Sequence, residues 1–233
     1  MKHFKNFKTC VYCTAQTLAS LDETTLARDY AYLEKYVGID KVYLETYRDG
    51  TWVSIDHMKM IQNFFKEHGV EIAGGITTVT PPLEKDDVKR QRLFQTFCYS
   101  NEAMRTYLKK IVTYTAELFD EIILDDFFFT SCTCDDCLRE RSNLSWAEFR
   151  SKKMIDVAEN LVLKPAKLAN PSVKVTIKYP NWRESYHETG YVPKIQPSMF
   201  DKIYTGTETR NTAHTDQHLP RYLSYSIMRR SEE

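Results

Sequence analysis

Residues 119–137 read FDEIILDDFFFTSCTCDDC. The first half, from Glu121 to Phe128, is a short apolar run closed by two adjacent carboxylates, Asp125 and Asp126, and predicts a buried strand. Neighbouring side chains on a strand point to opposite faces, so only one of these aspartates can look toward the space beyond the strand end. The sequence leaves open which. The second half, Cys132-x-Cys134-x-x-Cys137, gathers three thiols into one turn of loop, close enough to share an ion.

Outward from this stretch, short apolar runs alternate with helical patterns at a nearly regular interval, the signature of βαβ units and a parallel sheet. A first strand is predicted over Thr9 to Thr14. Ser20-x-x-Glu23 has the form of a capping box and opens a helix with Leu26, Tyr30, Leu33 and Val37 on one face. The second strand, Lys41 to Thr46, leads through a loop at Asp49-Gly50 into a helix with Met58, Ile61, Phe64 and Phe65, which Gly69 stops. The third strand is Glu71 to Val79, and Pro81-Pro82 starts a longer loop. Ser100 is expected to cap the helix carrying Leu108, Ile111, Tyr114 and Leu118, which delivers the fourth strand. A second capping box, Ser145-x-x-Glu148, opens a helix running to about Leu163. The fifth strand is Val173 to Tyr179, the sixth Lys202 to Thr207, and a last helix starts near Leu219.

These elements make six β/α units, where a closed barrel uses eight over about 250 residues. The expectation is an α/β fold of TIM-type (β/α) barrel class with six of eight units present. It forms one domain over residues 1–233, incomplete at its C-terminus. An open six-stranded barrel or a doubly wound sheet is the alternative.

The chain has 32 basic and 32 acidic side chains, so no long-range field favours nucleic acid or an anionic membrane. A neutral or locally read ligand fits better. Aromatic residues make up 13%, mainly 15 Tyr and 12 Phe, which serve either a large core or a stacking surface. No run approaches the ~18 apolar residues of a membrane span, and the first residues lack the apolar segment of a signal peptide. The chain as given reads as soluble, in the cytoplasm or, if a leader was removed, secreted.

A closed tetrahedral site needs a fourth ligand beside Cys132, Cys134 and Cys137. Cys98 is the candidate, because it precedes the helix leading into the fourth strand and so sits at the same end of the barrel as the loop after that strand. A structural zinc is expected there. The Cys-x-x-x-Cys-x-x-Cys motif of radical enzymes follows the first strand and differs in spacing. Cys10 and Cys13 lie three apart on a strand, facing opposite sides, and read as separate thiols. His214 and His218 have the spacing of a helical metal pair without a Glu in the protease position.

In parallel β/α architectures the strand C-termini form the working face. Asp125 and Asp126 end the fourth strand, Glu45 the second, and Glu208 follows the sixth. Glycoside hydrolysis needs two carboxyl groups across one bond, one as acid and one as nucleophile or base. Asp125 or Asp126 paired with Glu208 meets that need, and Arg210 is placed to pair with Glu208 and favour its charged form. Tyr179, Asn181, Trp182, Tyr186 and His187 after the fifth strand, with the polar residues from His214 to His218 after the sixth, form the expected sugar-binding rim. Trp182 serves as stacking platform or as cover for the barrel end. Glu45 and Arg210 are further substrate-binding candidates. The competing expectation is a barrel that binds glycans, or serves as a scaffold, without turnover.

The segment Phe119-Asp-Glu-Ile-Ile-Leu-Asp-Asp126, the knuckle Cys132-Thr-Cys134-Asp-Asp-Cys137 and the following Trp146-Ala-Glu-Phe149 resemble bacterial glycoside-hydrolase barrels. Cys98 with the knuckle is similar to the zinc site of family 42 β-galactosidases. The resemblance is close from Cys98 to Phe149 and architectural elsewhere. It implies a glycosidase barrel acting on a carbohydrate, with zinc at the four cysteines. Family 42 enzymes place a Glu after strand four and another after strand seven. Here strand four ends in Asp-Asp, closer to the α-galactosidase style of barrel.

Overall fold

The computed structural model describes residues 4–82, 85, 91–125 and 127–206, with the side chain of Glu184 excepted. The expectations for Asp126, Glu208, Arg210, His214, His218 and the last helix fall outside the described residues.

Among the described residues six parallel strands form the sheet: β1 (Cys10–Cys13), β2 (Lys41–Arg48), β4 (Glu71–Ile76), β5 (Glu121–Leu124), β6 (Lys174–Tyr179) and β7 (Lys202–Thr205), paired in that order. A two-residue strand, β3 (Thr51–Trp52), folds back antiparallel on β2. The turn between them is Asp49-Gly50, with φ of 50° and 77°. Positive φ at both central residues is the geometry of a tight hairpin turn, so what reads as a plain loop is a hairpin. The predicted β/α barrel class is the one observed: a parallel α/β sheet curled into a partial barrel.

Side-chain contacts measure the curl. β2 and β7 are four strand spacings apart, roughly 19 Å in a flat sheet. Yet the hydroxyls of Tyr43 on β2 and Tyr204 on β7 lie 3.1 Å apart. Likewise Glu121 on β5 holds Lys41 of β2 and Lys202 of β7, each at 2.6 Å. These contacts cross the concave face, which Tyr12, Tyr43, Ala73 and Ile123 line.

The convex face is the main core. Alternate residues of the strands, among them Val42, Leu44, Ile76, Ile122, Leu124, Val175 and Ile177, pack there against the helices. Those are α1 (Ala15–Ser20), α2 (Glu23–Tyr36), α3 (Ile55–Glu67), α4 (Glu102–Leu118), α5 (Asp135–Arg141) and α6 (Trp146–Val157), which continues as a π-helical segment (Ala158–Leu163) into α7 (Lys164–Ala169). The capping box of α6 forms as expected, the Ser145 side chain accepting from the Glu148 amide and the Glu148 side chain from the Ser145 amide. Elsewhere the caps shift. Ser20 closes α1, and the box of α2 is Asp22 with Thr25; Asn101, one residue past Ser100, caps α4. Pro165 cannot donate to the helix ladder, and the π-helical turn before it takes up the mismatch. No helix among the described residues is long and apolar enough to cross a membrane.

Two glycines set how closely layers approach at β4. A Cβ on Gly74 would meet Phe119 and Thr115 at 2.7 Å on the helix side. A Cβ on Gly75 would meet the Tyr12 hydroxyl at 2.6 Å on the concave side. The second contact matters to the site, because Tyr12 is one of its hydrogen-bond donors.

Candidate functional site: the charged mouth of the strands

Glu45 and Arg48 lie three apart on β2, so strict alternation would send them to opposite faces. They do not separate. The pairing of β2 with β4 slips between Glu45 and Tyr47, a bulge that resets the alternation. Thr46 and Tyr47 both turn to the core side, Thr46 reaching Thr115 of α4 and Tyr47 joining the main core. Arg48 returns to the concave side beside Glu45.

Glu45 is fully buried, with 0% exposure. It accepts hydrogen bonds from the Tyr12 hydroxyl at 2.8 Å, the Ala15 amide at 2.7 Å and Arg48 Nε at 2.8 and 3.1 Å. Thr77, just past β4, donates to it as well. Burial, with the charges of Glu45 and Asp125, raises the Tyr12 pKa well above its ordinary value, so its hydroxyl stays a donor. Burial opposes the Arg48 charge, but the hydrogen bonds and charge of Glu45, with further help from Asp125, raise its pKa overall.

From this anchored position Arg48 Nη2 reaches Thr77 Oγ1 at 2.9 Å and Asp125 Oδ2 at 3.2 Å. Lys178, near the end of β6, reaches the other oxygen of Asp125 at 2.9 Å. Asp125 therefore faces the concave mouth, gripped by two cations drawn from β2 and β6. Its backbone amide bonds to the Ile76 carbonyl at 3.0 Å, which fixes the chain where β5 ends.

The expected rim divides. Lys178 faces the mouth, so its neighbour Tyr179 faces the core, where it is 5% exposed, packs on Tyr186 and Tyr191, and donates to Gln196 at 3.3 Å. Trp182, after β6, sits edge-on against Phe129 at 5.2 Å, Tyr191 at 5.7 Å and Tyr186 at 6.1 Å. Asn181 is half-buried beside it. Arg48, Lys178, Thr77 and Tyr12 were not singled out by sequence. For Lys178 a signal existed, a lysine set inside the apolar run VTIKY.

Cys98 lies between β4 and α4, and Cys132, Cys134 and Cys137 between β5 and the first turn of α5. Their four sulfurs lie within 4.8 Å of one another. Cys98 Sγ is 3.7 Å from both Cys134 and Cys137. A zinc bound tetrahedrally at about 2.3 Å sets its sulfurs about 3.8 Å apart, so the residues fit such an ion. Phe149, Leu144 and Trp146 wall the cluster off. Hydrogen bonds from Cys137 and Cys98 draw the Cys132 thiol below its ordinary pKa, and bonding to Cys132 pushes Cys137 up to about 12.

Fold and mouth define a partial (β/α) barrel with its charged groups at the strand C-terminal ends, the working face of the TIM-barrel class. Across residues 1–233 the chain matches the family described as "Probable glycosyl hydrolase, catalytic domain", and it belongs to that family. An uncharacterised protein of Saccharolobus solfataricus is 34% identical over 88% of this chain and 38% of that protein. Among solved structures, the β-galactosidase of the psychrophilic Marinomonas ef1 superposes with a TM-score of 0.63 at 13% identity, over 90% of this chain and 43% of that one. The cold-adapted β-galactosidase of Rahnella sp. R3 gives 0.62 at 13% identity, over 91% and 41%. At that identity the likeness is one of fold. The chain spans less than half the length of each of these relatives.

Proposed function

We propose that the chain is a glycoside hydrolase barrel in which Asp125 works at the anomeric carbon of a carbohydrate, as nucleophile or as the base that activates water. The supporting observation is the grip of Arg48 and Lys178 on Asp125 at a strand C-terminal end. Two contacts, one to each carboxylate oxygen, fix its orientation at the mouth, which suits a group that must reach one defined atom. Glu45 lies too deep to touch a sugar; it is a positioning residue that aims Arg48. Glu208 is proposed as the second carboxyl group, the acid or the partner of Asp125, with Arg210 two residues on, and Asn181 and Trp182 are proposed to border the substrate.

Cys98, Cys132, Cys134 and Cys137 are proposed to hold a structural zinc. When bound, it fastens the loop after β5 to the start of α4 and supplies no step of the reaction.

The test is hydrolysis of aryl glycosides of both anomeric configurations by the full-length protein and its Asp125→Asn variant. The variant should lose on the order of 10²–10⁴ in kcat/KM, with circular dichroism showing that it remains folded. Equal rates in the two proteins would sink the proposal.

A further inference from the structure

The turn from Arg92 to Thr96, between β4 and α4, presents Phe94 in a costly way. Phe94 and Gln95 have left-handed backbone, with φ of 51° and 54°, where side chains are rarely found. The turn is nonetheless firmly fastened. Gln95 N–H bonds to Arg92 O at 2.9 Å, Thr80 N–H to Gln95 O at 2.9 Å, and Leu93 N–H to Ser131 Oγ at 2.8 Å. Arg92 itself is 4% exposed. The ring carried by this strained, rigid turn is 55% exposed.

Phe94 meets Phe127 edge-to-face at 5.1 Å and Phe129 at 6.4 Å. Phe127 lies over the Arg48 guanidinium at 6.0 Å, and Arg48 holds Asp125. The left-handed backbone costs stability, and an exposed ring recovers little of it by burial. Strain held in place by surrounding structure is a mark of a working position. A rigid, exposed aromatic face suits the apolar C–H face of a pyranose, whereas Trp182 is committed to its own aromatic cluster.

We infer that Phe94 is a stacking platform for a sugar ring beyond the one attacked at Asp125, so that the substrate is an oligosaccharide. Phe94 is linked to Asp125 through the contacts with Phe127 and Arg48, more than one sugar length in all, so a ring on Phe94 belongs to the same glycan as the reacting ring but lies beyond it. The inference rests on the glycosidase reading.

Calorimetry on the full-length protein, in an Asp125→Asn background that silences turnover, tests it with β-linked galactotetraose, cellotetraose and mannotetraose against the free monosaccharides. At least one tetrasaccharide should bind. Phe94→Ala should weaken it about tenfold, Phe94→Tyr should restore it to within about twofold, and monosaccharide binding should be equal in all. Tetrasaccharide binding unaffected by Phe94→Ala, or absent altogether, would overturn the inference. Hydrolysis of aryl monoglycosides with Asp125 intact separates the two readings. A wild type without hydrolysis whose tetrasaccharide binding still depends on Phe94 would uphold the platform and overturn the glycosidase.

Discussion

Replacing Arg48 by Met removes the cation from a carboxylate that has no exposure to water. Glu45 would keep three neutral donors, from Tyr12, Ala15 and Thr77, and lose the contacts at 2.8 and 3.1 Å to the guanidinium. Breaking a buried ion pair by deleting one partner costs about 3–5 kcal/mol. The remaining donors, and the 19% exposure of the Arg48 side chain, place the cost near the lower end. For a chain of this length each kcal/mol moves the melting temperature by about 2–4 °C, so Arg48→Met should melt roughly 6–12 °C below wild type. Adding Glu45→Gln keeps the shape and removes the stranded charge, so the double variant should recover about 1–2 kcal/mol of that loss. Scanning calorimetry of the four proteins at pH 7 is the assay. An Arg48→Met protein melting within about 1 °C of wild type, or purely additive losses, would refute the reasoning.

Gly75→Ala should drive its Cβ into the Tyr12 hydroxyl, breaking its bond to Glu45 and costing about 1–3 kcal/mol; Tyr12→Phe in the same protein should relieve part of that, read by urea denaturation. Burial disfavours the Glu121 charge, but hydrogen bonds from Lys202 and Lys41 outweigh it and lower its pKa below the ordinary carboxylate value. A depressed acid contributes stability above its unfolded pKa and loses it as pH falls through the folded one, so wild type should lose more melting temperature between pH 6 and pH 3 than Glu121→Gln does. Cys98→Ser should abolish stoichiometric zinc in the full-length protein by elemental analysis, and a chelator should lower the wild-type melting temperature while leaving that of the variant unmoved.

The sheet was legible because its strands are apolar runs at β/α spacing, and Cys98 because two loops at one end of a parallel sheet must be neighbours. The caps of α2 and α4 shifted by a residue or two, since Ser20 was needed to close α1 and Asn101 offered the better acceptor for Met104. Arg48 was not legible at all. Its place beside Glu45 depends on a bulge, and one slipped residue in a strand reverses every face after it. Alternation could have found Lys178, the charged partner of Tyr179 across the sheet. That Asp125 faces the mouth was open in sequence, and only its contacts with residues of β2 and β6 decide it.

The central claim is that Asp125 acts at the anomeric carbon, and azide rescue of Asp125→Ala tests it most directly. With an activated aryl glycoside, the variant of the full-length protein should be nearly inactive and should regain turnover when azide is added. It should release a glycosyl azide, because the small anion enters the space the carboxylate leaves. An Asp125→Ala protein that hydrolyses the same glycoside at the wild-type rate without azide would contradict the account.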